Sequence, residues 1–349
     1  MDRYIGIDVH SESCTFAVLA SNGKRLQETP VETNGKALTD FVRGIAGDKH
    51  VCIEEGTHAE WVYELLEPLV DEIVVTIPEA SQGTKNDSSD AWRRAEELRR
   101  GAINRKVFKA PDRFTGLRSA VKAYIVTKRD MIRSKARIRA LYRSRGIQGL
   151  NSAIYDPERR TSWFPQLPAA QRRRMELLSM QLDGLTHAHQ VANDWLLEES
   201  KKVPIVRLLQ TAPGLGPIRA AHIVATVITP HRFRTRRQFW SYCGLAIVTR
   251  SSSDWTRDRH GVWERRVVPQ TRGLNQNRQP LLKNVFKGAA ETVIHVMPKH
   301  PLSIGYQRMI TAGTKPNLAR LTVARRIAGA ILAMWKNQEK YDPSKQQQR

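Results

Sequence analysis

The chain has 349 residues, enough for two or three hydrophobic cores rather than one. It carries 57 Lys and Arg against 34 Asp and Glu, a formal charge of +23 that favours a polyanionic partner, nucleic acid before any other. Three well-separated cysteines, Cys14, Cys52 and Cys243, and the absence of CxxC, HExxH and GxxxxGKS argue against zinc and P-loop enzymes. No apolar run approaches the ~20 residues that span a bilayer, so no membrane role is expected. The opening MDRYIGIDVH has no basic-then-apolar leader, and a cytoplasmic protein with buried, reduced thiols is the expectation.

The charge is unevenly placed. Residues 1–90 hold 7 basic and 17 acidic side chains, a net −10, which leaves +33 on the remainder. The first segment is therefore expected to do something other than hold a polyanion.

In chain order, residues 3–33 read as three short strands, with Ser-Asn-Gly at 21–23 turning the second into the third. A helix over 35–45, a strand over 50–54, a helix over 59–69 and a strand over 72–77 follow. That order predicts a mixed sheet with helices on its faces, the order of an RNase H-like fold. Residues 114–145 read as one long helix with ten cations on its polar faces and a single acid, Asp130. Arg129 and Arg133 are among the expected phosphate contacts.

Residues 147–170 read as a connector. Met175, Leu178, Leu182, Leu185, His189, Ala192 and Leu196 then alternate steps of three and four, a coiled-coil seam that serves either a core helix or an oligomer contact. Pro-Gly-Leu-Gly-Pro at 213–217 before an apolar-periodic helix is similar to a helix-hairpin-helix, whose N–H groups can approach phosphate; glycines also make ordinary tight turns. Arg234, Arg236 and Arg237 follow it closely. The expected organisation is an α/β domain over 1–112, a basic helical linker with a coiled coil over 113–202, a mainly helical domain over 203–338 and a disordered tail over 339–349.

The acidic segment carries the chemistry. Asp8 stands in the apolar strand YIGIDVH, where a carboxylate is costly unless paired or bound to a metal. Glu54 ends the strand HVCIE, at the carboxyl edge where ligands gather in α/β sheets. Glu55 is its rival, because strand periodicity turns one of the two away. Asp87 and Asp90, at i and i+3 in KNDSSDAW, share one helix face. Each has a plainer reading: Asp87 as a helix cap, Asp90 at the helix's positive end, Glu54 as a surface acid. Together, four carboxylates can hold two hard cations, Mg²⁺ or Mn²⁺, for phosphoryl transfer. Lys85 lies beside them to meet a phosphate.

With YIGIDVH, CIEEGT, KNDSSDA, APGLG at 212–216 and YCGLAIVTRSSSDW at 242–255, the chain resembles the DEDD transposases of bacterial insertion sequences, the family that includes Piv-type DNA invertases and bridge-RNA-guided serine recombinases. The resemblance implies an RNase H-like (RuvC-like) domain with metal ligands Asp8, Glu54, Asp87 and Asp90, and a transposase domain carrying a nucleophilic serine. It implies a phosphoserine intermediate on DNA, half-sites from different protomers of a dimer or tetramer, and a structured noncoding RNA that pairs with target and donor DNA at the nucleoid. Counting eight residues from Gly244 selects Ser252 as the nucleophile, with Ser251 and Ser253 as alternatives. The family's proline near Ile247 and the glycine after the serine are missing here, and EEGTH replaces Glu-x-Thr-Gly. Further phosphate contacts are expected from Arg272, Asn277, Arg278 and Lys283. Alternatives are a RuvC-like metal nuclease that uses water, an actin-like ATPase, disfavoured because no glycine-rich turn follows Asp8, and a non-catalytic nucleic-acid-binding protein.

Overall fold

The computed structural model describes residues 1–77, 87–103, 106–107, 114–249, 255–265 and 271–344. The chain divides into two compact units, Met1–Arg113 and Phe114–Arg349.

The first unit is a six-stranded mixed sheet in the order β3-β2-β1-β4-β5-β6. Strands β1 (Asp2–Val9), β2 (Ser13–Ala20) and β3 (Arg25–Glu32) form an antiparallel meander; β4 (Asp48–Glu54) and β5 (Glu72–Thr76) add in parallel beside β1; β6 (Lys106–Val107), a strand the sequence does not announce, closes the far edge antiparallel. Period-2 alternation sorts the side chains. Ile5, Ile7, Phe16, Val18, Val51, Ile53 and Val75 face α1 (Gly35–Gly44) and α2 (Ala59–Leu66) in the main core of this unit. Asn34 caps α1 by accepting from Ala37 N–H at 2.7 Å.

The opposite face receives α3 (Asp87–Arg99), whose Ala91, Trp92 and Ala95 pack with Ala17 and Leu19, and whose Leu98 packs with Cys52 and Val74. Gly6 makes this close approach possible. A Cβ there would stand 1.9 Å from the carbonyl oxygen of Ala91 and 2.7 Å from the amide nitrogen of Ala95.

The second unit is mainly helical. α4 (Thr115–Arg143) and α5 (Ala169–Lys202) pack along each other, and the predicted seam is spent inside the chain: Met175, Leu182, Ala192 and Leu196 are buried. His189 is a structural seam residue. Its Nδ1 lies 3.1 Å from the Thr127 hydroxyl and its ring packs on Tyr124.

α6 (Pro204–Leu209), α7 (Pro217–Val227), α8 (Arg236–Tyr242), α9 (Pro280–Val296), α10 (Pro301–Thr311) and α11 (Pro316–Asn337) complete the unit. One large core joins these helices to Phe114, Leu117, Val121 and Tyr124 of the α4 end and Leu196 of α5, so packing runs without a break across residue 202. Short paired strands, β7 (Ile247–Thr249) with β10 (Thr271–Leu274) and β8 (Trp255–Arg257) with β9 (Trp263–Arg265), interrupt the helices where the sequence suggests none. Tyr341, inside the expected tail over 339–349, is held against this unit. Its amide donates to the Thr211 hydroxyl at 3.0 Å and its ring stacks on His300. No described helix is long and apolar enough to cross a membrane.

Candidate active site

The site grows out of strand alternation. Asp8 lies two residues beyond Gly6 and Glu54 two beyond Cys52, and Gly6 pairs with Cys52 in the parallel β1–β4 register. Both carboxylates therefore emerge at the carboxyl ends of neighbouring strands on the face that α3 covers. Glu54 and Glu55 differ in backbone setting. Glu54 is the last residue of β4, and Glu55 lies past the strand end, its amide donating to Thr76.

α3 brings the third acid and an unanticipated cation. Asp90, half-buried, and Arg94 one turn later line a pocket of about 220 Å³ with Asp8, His10, Glu54, Glu55 and His58. Arg94 is 2 % exposed and Asp8 8 % exposed, so both charges are essentially out of water and must be compensated within the site. Arg94 Nη1 donates to Asp8 Oδ1 at 2.9 Å, and Nη2 donates to Glu54 Oε2. The other Asp8 oxygen lies 3.0 Å from His10 Nε2. One guanidinium fork thus ties together the two carboxylates that the sequence pairs across β1 and β4. Asp90 interacts instead with Arg93, 3.6 Å away.

Asp87 is the first residue of α3. Lys85 and Ser251, Ser252 and Ser253 lie outside the described residues.

The donors are of the chemical type that suits a hard divalent cation. Asp8, Glu54 and Asp90 offer only carboxylate oxygens, the choice of Mg²⁺ and Mn²⁺, in a pocket where acids outnumber the one arginine. Among the described residues no three Asp, Glu, His or Cys side chains come close enough to form a metal-ligand group, and Arg94 lies between the innermost two acids.

Arg94 could have been read from the sequence. Ala91, Ala95 and Leu98 are the buried stripe of α3, and position 94 falls on that stripe at i+3 from Ala91. An arginine on an apolar stripe signals a buried ion pair. Its neighbour Arg93 shows the contrast, with an ordinary i,i+4 pair to Glu97 at 2.9 Å.

The second unit supplies the cations. Arg129 and Arg133 are exposed on α4, Arg133 loosely paired with Asp130 at 3.5 Å. Arg234 and Arg237 are exposed at the start of α8, whose N-terminus Thr235 and Gln238 close with a capping box. Arg236, exposed like them, also lines a cavity of about 490 Å³ with Trp240, Arg325 and Arg326.

Arg278 is built into its loop. Its Nη1 donates to the carbonyl of Asn275 at 2.9 Å and its stem fills the space above Gly244, where a Cβ would stand 2.0 Å from Cδ. Asn277 is exposed nearby, its amide donating to Asn275 Oδ1 at 3.0 Å. Burial, with Arg278 and Lys287 as neighbours, lowers the Lys283 pKa. Arg272 belongs to β10.

The Pro-Gly-Leu-Gly turn serves packing: Gly214 has φ +73°, and a Cβ on it would stand 2.4 Å from the Ala289 carbonyl oxygen of α9.

Two family models match the chain. The model described as DEDD_Tnp_IS110, a transposase, matches residues 5–144, and that of the Transposase IS116/IS110/IS902 family matches residues 206–274. No curated protein matches. The first match holds Asp8, Glu54, Asp90 and Arg94, and the second holds the Gly214 turn and the segment with the serine triplet; the chain belongs to the DEDD transposases of insertion sequences.

Proposed function

We propose that this transposase cuts and rejoins DNA as a site-specific recombinase of its mobile element, with Ser252 as nucleophile and the acids of the first unit as the metal-binding half of the site. The observation that carries the reading is the convergence of Asp8, Glu54 and Asp90 on one pocket from three separate elements. The sheet order, an antiparallel meander joined to parallel strands with α3 across one face, supports an RNase H-like fold.

In this reading Asp8, Glu54, Asp87 and Asp90 would hold Mg²⁺ or Mn²⁺, which supplies charge neutralisation at the phosphate and a lower pKa for a bound hydroxyl. The Ser252 Oγ attacks phosphorus as it gives up its proton, the P–O bond to the departing sugar oxygen breaks, and that oxygen takes a proton. The phosphoserine diester preserves the bond energy for rejoining. Gly6 and the Ala91–Ala95 contact fix the acids relative to each other, so alignment is set before DNA arrives.

Arg129, Arg133, Arg234, Arg236 and Arg237 are exposed cations that fit nucleic-acid phosphates, and Lys85, Arg272, Asn277, Arg278 and Lys283 remain candidates for the same role. A structured noncoding RNA of the element would carry sequence readout. The proposed setting is the bacterial cytoplasm, on nucleoid DNA. Homo-oligomerisation, as dimer or tetramer, is supported by Leu177, Met180, Val191 and Trp195 of α5, which stay 40 to 69 % exposed on the side away from α4.

The test is to incubate the full chain with element-end DNA, Mg²⁺ and the RNA transcribed beside the reading frame, then trap covalent adducts in denaturant. Wild type is expected to form a protein–DNA adduct and Ser252→Ala none. Free cut ends without an adduct in wild type would establish a water-using nuclease instead.

A further inference from the structure

Arg94 occupies the carboxylate oxygens that the metal reading assigns to a cation. Both Asp8 oxygens are engaged, Oδ1 by Arg94 at 2.9 Å and Oδ2 by His10 at 3.0 Å, and Glu54 Oε2 accepts from the second arm of the same guanidinium. Arg94 Nε is buried without an acceptor, so the two acids are the only described hydrogen-bond partners of the group. Its backbone is fixed, because α3 is pressed onto β1 at Gly6 by Ala91 and Ala95. Freedom is left in the side chain, which borders the 220 Å³ pocket.

We infer that Arg94 is the resident counter-ion of the Asp8–Glu54 pair, and that divalent-cation loading is an exchange in which its guanidinium surrenders those oxygens. Electrostatics allows one or the other. A dication on Asp8 and Glu54 would lie beside a desolvated guanidinium at hydrogen-bond range from the same oxygens, a like-charge contact that low local polarity makes costly. Conversely, without a cation the two inward acids would repel each other if Arg94 were removed. The fork geometry suits this duty: two parallel N–H groups span two carboxylates and set their separation, which a lysine ammonium does at one point only. Arg94 is thus a positioning residue. It holds Asp8 and Glu54 aimed at one place until a dication replaces it.

This rests on the reading of Asp8 and Glu54 as metal ligands, and Mn²⁺ binding to the full-length protein without nucleic acid separates the two claims. Free Mn²⁺ is counted by electron paramagnetic resonance in titrations of wild type, Arg94→Met, Arg94→Lys and Asp8→Asn. Arg94→Met is expected to bind Mn²⁺ at least tenfold more tightly than wild type, Arg94→Lys to fall between, and Asp8→Asn to lose the site. Thermal melts give the second readout: Arg94→Met melts below wild type without metal and gains more than wild type when Mn²⁺ is added. If Arg94→Met folds only with metal, Arg94→Lys carries the affinity comparison alone. Wild-type or weaker affinity in both arginine variants, with the Asp8-dependent site intact, overturns the exchange. Absence of Mn²⁺ binding in every protein would overturn the metal reading itself.

Discussion

Gly6→Ala is the smallest change that should dislocate the site without touching an acid. The new Cβ would lie 1.9 Å from the Ala91 carbonyl oxygen, a backbone atom that cannot rotate away. Restoring ordinary contact requires α3 to retreat from β1 by roughly 1 Å or more, since a close-packed interior offers no slack. Overpacking of this kind costs about 1–3 kcal/mol. The retreat carries Asp90 and Arg94 away from Asp8 and Glu54, and a misplacement near 1 Å can cost on the order of 100-fold in rate. Urea unfolding of the full chain, with hydrogen exchange to localise the loss to α3 amides, measures the first effect. Strand cleavage measures the second. Wild-type α3 protection together with wild-type cleavage would refute the claim that the Gly6 contact aligns the site.

Burial lowers the His222 pKa to about 4, with Lys128 adding to the effect. Its Nε2 has no partner among the described residues, and Tyr124 packs at 5.6 Å. Because the unfolded chain takes up the proton first, the neutral-His contribution is complete above the unfolded pKa near 6.5 and is lost as pH falls toward 4. The loss is up to ~3 kcal/mol. Denaturant melts of the second unit at pH 7 and pH 4 should show that loss in wild type and a smaller one in His222→Leu; equal losses would contradict it. Removing Arg129 should weaken nucleic-acid binding without changing sequence preference and reduce the slope of log K against log salt by ~1, as should removing Arg133, measured by fluorescence anisotropy. An unchanged slope would take that residue out of the interface. Met180→Glu on the exposed α5 stripe should shift the full chain toward smaller species in light scattering while the α4–α5 core, which buries Leu182 on another face, stays folded. Retention of the wild-type mass would mean that this stripe is not the oligomer contact.

The acids were legible because their setting violates a local rule. Asp8 sits in an apolar strand and Glu54 ends one, and period 2 places both on a single face. The charge contrast between the first 90 residues and the remainder was equally visible. What stayed hidden depends on distant pairing. In the string WRRAEELRR, the Ala91–Ala95–Leu98 spacing sets Arg94 apart from Arg93, but its partners Asp8 and Glu54 emerge only once Ala91 and Ala95 pack on Gly6, while Arg93 pairs locally with Glu97. The strands between 247 and 274 are three or four residues long, too short for alternation to register. Gly214 was ambiguous in another way: a glycine turn before a helix fits an anion site and a tight packing contact alike, and the atom that makes the packing contact, the Ala289 carbonyl oxygen, is far along the chain.

The most direct measurement for the central claim is Mg²⁺-dependent strand cleavage by Asp8→Asn, alongside nucleic-acid binding by the same protein. Asn keeps the shape of the side chain and removes the charge that the pocket is built around. Cleavage should fall by at least 100-fold while binding, carried by the second unit's cations, stays within a few-fold of wild type. Cleavage near the wild-type level in a folded Asp8→Asn protein would contradict the account.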